Sequence, residues 1–104
     1  MIIFEFMDVC VSTAHMTEKD ASILQALITN YCDRENYNEW IHSTSYGFIV
    51  RMCFFKKRLL ALKKAGLSKL FRKNLIIMYQ EKGYQCYHFD CDADCYPDLD
   101  ISGL

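Results

Sequence analysis

The chain has 104 residues, 52% of them apolar and 14% aromatic, with one proline and four glycines. That describes one domain able to bury a modest core, and it excludes a chain that is disordered by composition or built on long linkers. The formal net charge of −1 conceals a sorting into blocks: two basic and seven acidic side chains over residues 1–50, ten basic and only Glu81 over 51–82, then five aspartates and no Lys or Arg over 83–104.

Residues 2–11 read as a strand, since apolar and β-branched side chains dominate and neither Gly nor Pro intervenes. The alternation changes phase between Phe6 and Val9, which a bulge or a start near Met7 would explain. Glu5 and Asp8 interrupt the apolar stretch and no basic segment precedes it, so no signal peptide is expected. No run approaches the ~20 apolar residues of a membrane span. The expected location is the cytoplasm, with no membrane partner.

Ser12 to Met16 is a connection, and Thr17 suits the N-cap of a helix from about 18 to 33. Glu18 and Asp20 lie in its first turn, where carboxylates favour the positive end of the helix. Leu24, Leu27, Ile28 and Tyr31 make its core-facing stripe. Residues 33–45 are polar and rich in turn formers, with Trp40 and Ile41 expected to plug an edge of the core. Tyr46–Phe54 is the clearest strand: Tyr46, Phe48, Val50, Met52 and Phe54 share an apolar face, and Gly47, Ile49, Arg51 and Cys53 a mixed one. This fits a sheet covered on one side and less fully on the other.

Residues 56–65 read as a short helix ending at Gly66, and Ser68 caps a second helix over 69–82 that Gly83 ends. The first buries Phe55, Leu59 and Leu62; the second buries Leu70, Phe71, Leu75, Met78 and Tyr79. Residues 84–89 form a last strand, and an acidic tail follows over 90–104. The order is β-α-β-α-α-β in a single small α+β or α/β domain over 1–104, a three- to four-stranded sheet with helices packed on it. The long helical crossover before the last strand predicts that it runs parallel to its predecessor.

Six cysteines without a secretion signal are expected to stay reduced; Cys10, Cys32 and Cys53 sit in apolar segments, where a thiol behaves as a small hydrophobe. Asp90, Asp92 and Asp94 match the opening of a calcium loop, but Cys95 stands where its turn glycine is needed and Ile101 where its bidentate Glu is needed. Cys86, His88, Cys91 and Cys95 are residue types that suit tetrahedral zinc, with Cys86 and His88 on one face of a strand, although no C-x-x-C pair occurs in the chain. Two buried thiols and a surface histidine explain the same residues, so no metal or other cofactor is assigned. A cysteine with a histidine partner is the one nucleophile to weigh, His15 or His88 with Cys10 or Cys86, and no Gly-rich turn offers an oxyanion hole. Phosphate-binding glycine loops are absent. Ser12, Thr13 and His15 lie between a strand end and a helix start, where α/β folds often bind ligands. A capping cluster with a surface histidine accounts for them more simply.

The basic stretch is the stronger signal. Nine Lys/Arg stand between Arg51 and Lys73 with no acid among them, a composition that attracts phosphates. The turn at Gly66 and Ser68 suggests a helix-turn-helix, but Arg72 occupies the position where that motif packs an apolar residue. Solvated faces on two amphipathic helices, or basic helices that hold the chain's own acidic tail, are the competing readings.

The runs Val11-Ser12-Thr13-Ala14-His15-Met16-Thr17-Glu18-Lys19-Asp20, Tyr46-Gly47-Phe48-Ile49-Val50, and Gly83-Tyr84-Gln85-Cys86 leading to Phe89-Asp90-Cys91-Asp92 together resemble a family of small, functionally unassigned domains carried on plasmids, prophages and integrative elements. The resemblance spans Met7 to Leu99; the Lys/Arg-rich insertion after the second strand and the lack of a closing aromatic in the tail depart from it. It brings no catalytic residue, and implies an accessory protein of a mobile element. By analogy of setting, such a protein would inhibit host defence machinery, as anti-CRISPR proteins do. The function expected from the sequence is therefore non-enzymatic binding of a host protein or nucleoprotein complex. Its contacts would be Lys56, Lys57, Lys63, Lys64, Lys69, Arg72 and Lys73, and separately Asp90, Asp92, Asp94, Asp98 and Asp100. Direct nucleic-acid binding by residues 56–73, and a Cys/His metalloprotein or hydrolase, are the alternatives.

Overall fold

The computed structural model describes residues 8–29 and 37–102. Four strands, β1 (Asp8–Ser12), β2 (Ile41–Thr44), β3 (Gly47–Arg51) and β4 (Cys86–Asp90), form one mixed sheet in the order β1-β4-β3-β2. Three helices complete it: α1 (Glu18–Thr29), α2 (Phe55–Ala65) and α3 (Lys69–Lys82). The expected residues 2–7 of the first strand and 30–33 of the first helix, Cys32 and Tyr31 included, lie outside the described residues.

The caps act as their residue types dictate. Ser68 Oγ accepts the Phe71 N–H at 3.1 Å to start α3, and Gly66 and Gly83, both with positive φ, close α2 and α3. Thr17 Oγ1 accepts the Asp20 N–H while the Asp20 carboxylate accepts the Thr17 N–H, each at 3.0 Å, a reciprocal box at the head of α1.

β1 runs parallel to β4, whereas β3 pairs with β4 antiparallel. This corrects the expected parallel crossover. The chain leaves β3 at Arg51 and re-enters β4 at its cross-strand partner Cys86, and the Met52 N–H donates to the Gln85 carbonyl at 2.6 Å. The two helices of 52–85 thus form the loop of one outsized β-hairpin. A single helix brings the chain back to begin a parallel strand; a second helix carries it away again, and the next strand runs the other way.

The turn-rich stretch before Tyr46 also holds a strand that the polar composition hides. β2 is only four residues long, joined to β3 across the two residues Ser45 and Tyr46, with Thr44 opposite Gly47. Ile41 at its head is fully buried, as its expected plugging role requires. A Cβ on Gly47 would lie 1.8 Å from the Phe89 carbonyl oxygen, so the glycine is what lets β3 and β4 close at this end.

The two faces of the sheet differ sharply. Val11, Val50, Tyr87 and Phe89 are buried among Leu24, Leu62, Phe71 and Leu75 from the helices. Across the sheet, Asp8, Cys10, Arg51 and Thr44 are exposed and His42, Ile49 and His88 half-buried. The expected apolar face of the second strand holds only in its middle. Val50 and Met52 are buried, while Tyr46 sits exposed in the hairpin turn and Phe54 is 78% exposed. No helix among the described residues is long and apolar enough to cross a membrane.

After β4 the chain straps back over the domain. The Ser12 N–H donates to the Asp94 carbonyl at 3.0 Å, the Ser102 N–H to the Ala14 carbonyl at 2.7 Å, and Leu99 is buried.

Candidate functional site

On α2, Lys56, Lys57, Leu60, Lys63 and Lys64 fall within about 120° of the helix circumference with Leu60 at the centre. All four lysines are exposed, and Leu60 is 51% exposed. Lys69 opens α3 nearby in sequence and is also exposed. No ion pair among the described residues involves any of these five lysines. Three further cations of the block are engaged elsewhere. Arg58 donates to the Arg51 carbonyl at 2.8 Å with its guanidinium 5.1 Å from the centre of the Trp40 ring, and Arg72 donates to the Leu67 carbonyl at 3.2 Å. Lys73 pairs with Asp100 at 3.1 Å.

Phe54 stands at the start of this face. Its backbone is left-handed, φ 57° and ψ 56°, a conformation that costs a non-glycine residue about 1–2 kcal/mol. With Phe55, Lys56, Lys57 and Tyr79 it lines a shallow depression, and Tyr79 stacks on Phe55 with ring centres 4.2 Å apart. Tyr79, expected inside, is therefore at the rim.

The acidic residues are spread along the strap. Asp92, Asp94, Asp98 and Asp100 are exposed, and Asp90 is half-buried, its carboxylate accepting the Asp92 N–H at 2.8 Å. Lys73–Asp100 is the one ion pair among the described residues that joins the basic block to the acidic one. The two blocks do not neutralise each other residue by residue.

His15 is fully buried, which corrects the expected surface histidine. Its Nε2 accepts the Tyr96 N–H at 2.8 Å, so the neutral ring carries its proton on Nδ1, which donates to the Asp100 carbonyl at 3.0 Å. Asn74, also fully buried, donates to the His15 and Asp100 carbonyls and accepts the Asp100 N–H. Asp20 accepts the Ser68 N–H at 2.7 Å and the Ser68 hydroxyl at 2.6 Å, tying the head of α1 to the head of α3. The Ser-Thr-Ala-His segment is thus a structural clamp for strap and helices. Neither nitrogen of His15 is left to act as a base toward Cys10 or Cys86.

Cys86 and His88 do meet on the open face. Cys86 Sγ lies 3.7 Å from His88 Nε2, and Asp8 Oδ2 lies 3.9 Å from the same nitrogen. Cys91 and Cys95 do not join them among the described residues: Cys91 lies five positions beyond Cys86, just past the end of β4, roughly 17 Å away at the usual strand rise. Cys91 instead neighbours Asp90 and Asp92. Asp8 takes their place because the parallel register sets it opposite Cys86. No local signal in the sequence announces a pairing between the first and last strands. Burial, and then the Asp8 carboxylate, push the Cys86 thiol up to about 11, with Arg51 opposing. In the metal-free chain it is a protonated thiol at neutral pH, the opposite of an activated nucleophile. Arg51, Cys53 and Gln85 join these three residues around a cleft of about 460 Å³.

Residues 9–102 match the model of a family described as Family of unknown function (DUF5983) C-terminal domain. Neither the curated proteins nor the solved structures yield a match.

Proposed function

Because the chain belongs to this family of unknown function, which supplies no activity to inherit, we propose from its surface that it is a non-catalytic binding module for the nucleic-acid component of a nucleoprotein target. The observation that carries this reading is the face of α2 and the start of α3, where Lys56, Lys57, Lys63, Lys64 and Lys69 are exposed without an ion-pair partner among the described residues. Lysines so disposed release counterions from a phosphate backbone. Phe54 offers an aromatic ring beside them, and bases stack on exposed rings without regard to sequence. The mobile-element setting that the resemblance implies suits a target such as a nucleic-acid-loaded defence complex of the host, which the protein would inhibit by occupying its nucleic acid. The exposed Asp92, Asp94 and Asp98 would then face protein surfaces that ordinarily hold phosphate.

Fluorescence anisotropy with short single-stranded and duplex oligonucleotides tests this. About five phosphate contacts give a slope of about −4.5 in log affinity against log salt for a duplex. Charge reversal at Lys56, Lys57, Lys63 and Lys64 together should remove most of that slope and weaken binding by more than tenfold at low salt. Phe54→Ala should weaken single strands more than duplexes. No binding at low ionic strength overturns the nucleic-acid reading.

A further inference from the structure

The open face of the sheet carries a second constellation, independent of the basic helices. Cys86 and His88 alternate onto that face of β4, and the parallel register brings Asp8 of β1 beside Cys86. One ligand atom from each of the three lies within 4.8 Å of the others. From the coordination chemistry of these groups we propose that Asp8, Cys86 and His88 bind a single divalent cation of the zinc class, with its fourth coordination position toward the adjoining cleft.

The distances carry the inference. Zinc bonds of ordinary length at tetrahedral angles set a sulfur and a nitrogen ligand about 3.6 Å apart, and a nitrogen and an oxygen ligand about 3.4 Å apart. The corresponding separations here are 3.7 Å for Cys86 Sγ and His88 Nε2, and 3.9 Å for His88 Nε2 and Asp8 Oδ2. A shift of about half an ångström by the exposed Asp8 side chain brings the His88–Asp8 pair to that separation, and the Cys86–Asp8 pair lies within 4.8 Å. The two ligands on β4 are held by a central strand paired on both sides, so they meet an ion with little rearrangement.

The donor set narrows the metal. A thiolate, an imidazole and one carboxylate exclude calcium and magnesium, which need an oxygen shell, and suit zinc or cobalt. Three protein ligands beside a cleft are the pattern of a site that keeps a position for water or a ligand, whereas a closed structural site uses four. Arg51, Cys53 and Gln85 line the same cleft and would meet whatever occupied that position. Access is direct: the Asp8 and His88 side chains are 57% and 39% exposed, and only Cys86 is buried beneath them.

Cobalt(II) titration of the chelator-treated full chain tests the assignment, because a thiolate ligand adds a charge-transfer absorption that nitrogen and oxygen ligands do not. The expected result is one equivalent bound, with an absorption for one thiolate that added zinc abolishes. His88→Ala and Asp8→Asn, both at accessible positions, should each weaken binding by at least tenfold while circular dichroism stays unchanged. Cys86→Ser should abolish the charge-transfer band. Cys91→Ser and Cys95→Ser should leave both affinity and band intact. The proposal is overturned if the wild-type chain shows no charge-transfer band, if the band has the intensity of two thiolates, or if affinity survives in the His88→Ala, Asp8→Asn double variant.

Discussion

Two histidines divide this molecule. His15 lies under the strap with both ring nitrogens committed to backbone groups, whereas His88 lies on the uncovered face of the sheet with its Nε2 near Cys86 Sγ and Asp8 Oδ2. Both attracted attention as chemistry-bearing residues in the sequence. What separates them is hydrogen-bond capacity: a side chain whose donor and acceptor are already satisfied holds structure together, and one whose ring remains accessible can meet a ligand.

The sharpest way to break this contrast is to compare losses of stability. Asn74→Ala removes the donor to the His15 carbonyl, the acceptor of the Asp100 N–H and one of the two donors to the Asp100 carbonyl, the other being His15 Nδ1. Buried groups left unsatisfied cost about 1–3 kcal/mol each, and a net loss of about 3 kcal/mol is expected. At about 4–8 °C per kcal/mol for a domain near this size, Tm should fall by on the order of 15 °C. His15→Leu should act similarly, and hydrogen exchange at the Tyr96 and Asp100 amides should accelerate in both. His88→Ala should shift stability by about 0.5 kcal/mol or less, as surface substitutions do. Equal losses at His15 and His88 in urea unfolding would erase the distinction.

A smaller effect comes from pH. The Cys86 thiol is raised from 9.0 in the ordinary case to about 11 in the folded chain. Between those values the unfolded chain has lost the proton and the folded one retains it. The folded state then binds more protons, so stability falls as pH rises from about 9 to 11 in the metal-free protein. Tyr87, whose phenol burial also raises, adds to the decline from about pH 10 upward. Cys86→Ala should therefore flatten the stability profile between pH 9 and 10 and lessen, without removing, the loss above it, which Tyr87 sustains. An unchanged profile in that window would place the thiol's titration outside the folding equilibrium.

The sequence made some of this legible for local reasons. Ser68 and Gly83 bracket α3, and Gly66 closes α2, because capping depends on a few adjacent residues. The partial cover of the sheet followed from the alternation in β3. What escaped depends on distant pairing. Nothing near Asp8 says that β1 lies against β4, so the residue that joins Cys86 and His88 went unseen, while Cys91 and Cys95, near in sequence, proved remote from the pair. β2 was hidden because four residues between turn formers carry too short a pattern. The burial of His15 depends on a strap more than 80 residues away. The family match covers residues 9–102 without attaching a chemistry to them.

The finest test lies between neighbours. Lys73 and Asn74 both hold Asp100, but Lys73 takes its carboxylate at 3.1 Å and Asn74 takes its backbone. The Lys73 and Asp100 side chains are 56% and 51% exposed, so water screens the pair and its two long-range partners lose little when it breaks. Lys73→Ala and Asp100→Asn should each cost about 0.5 kcal/mol, and less as salt is raised. The backbone bonds at Asp100 survive both changes, so the strap should keep its hydrogen-exchange protection in either variant and lose it in Asn74→Ala. If Lys73→Ala released the strap instead, charge would be what binds the acidic segment to the domain, and the lysines of α2 would have to be reread as a reservoir of partners for their own chain.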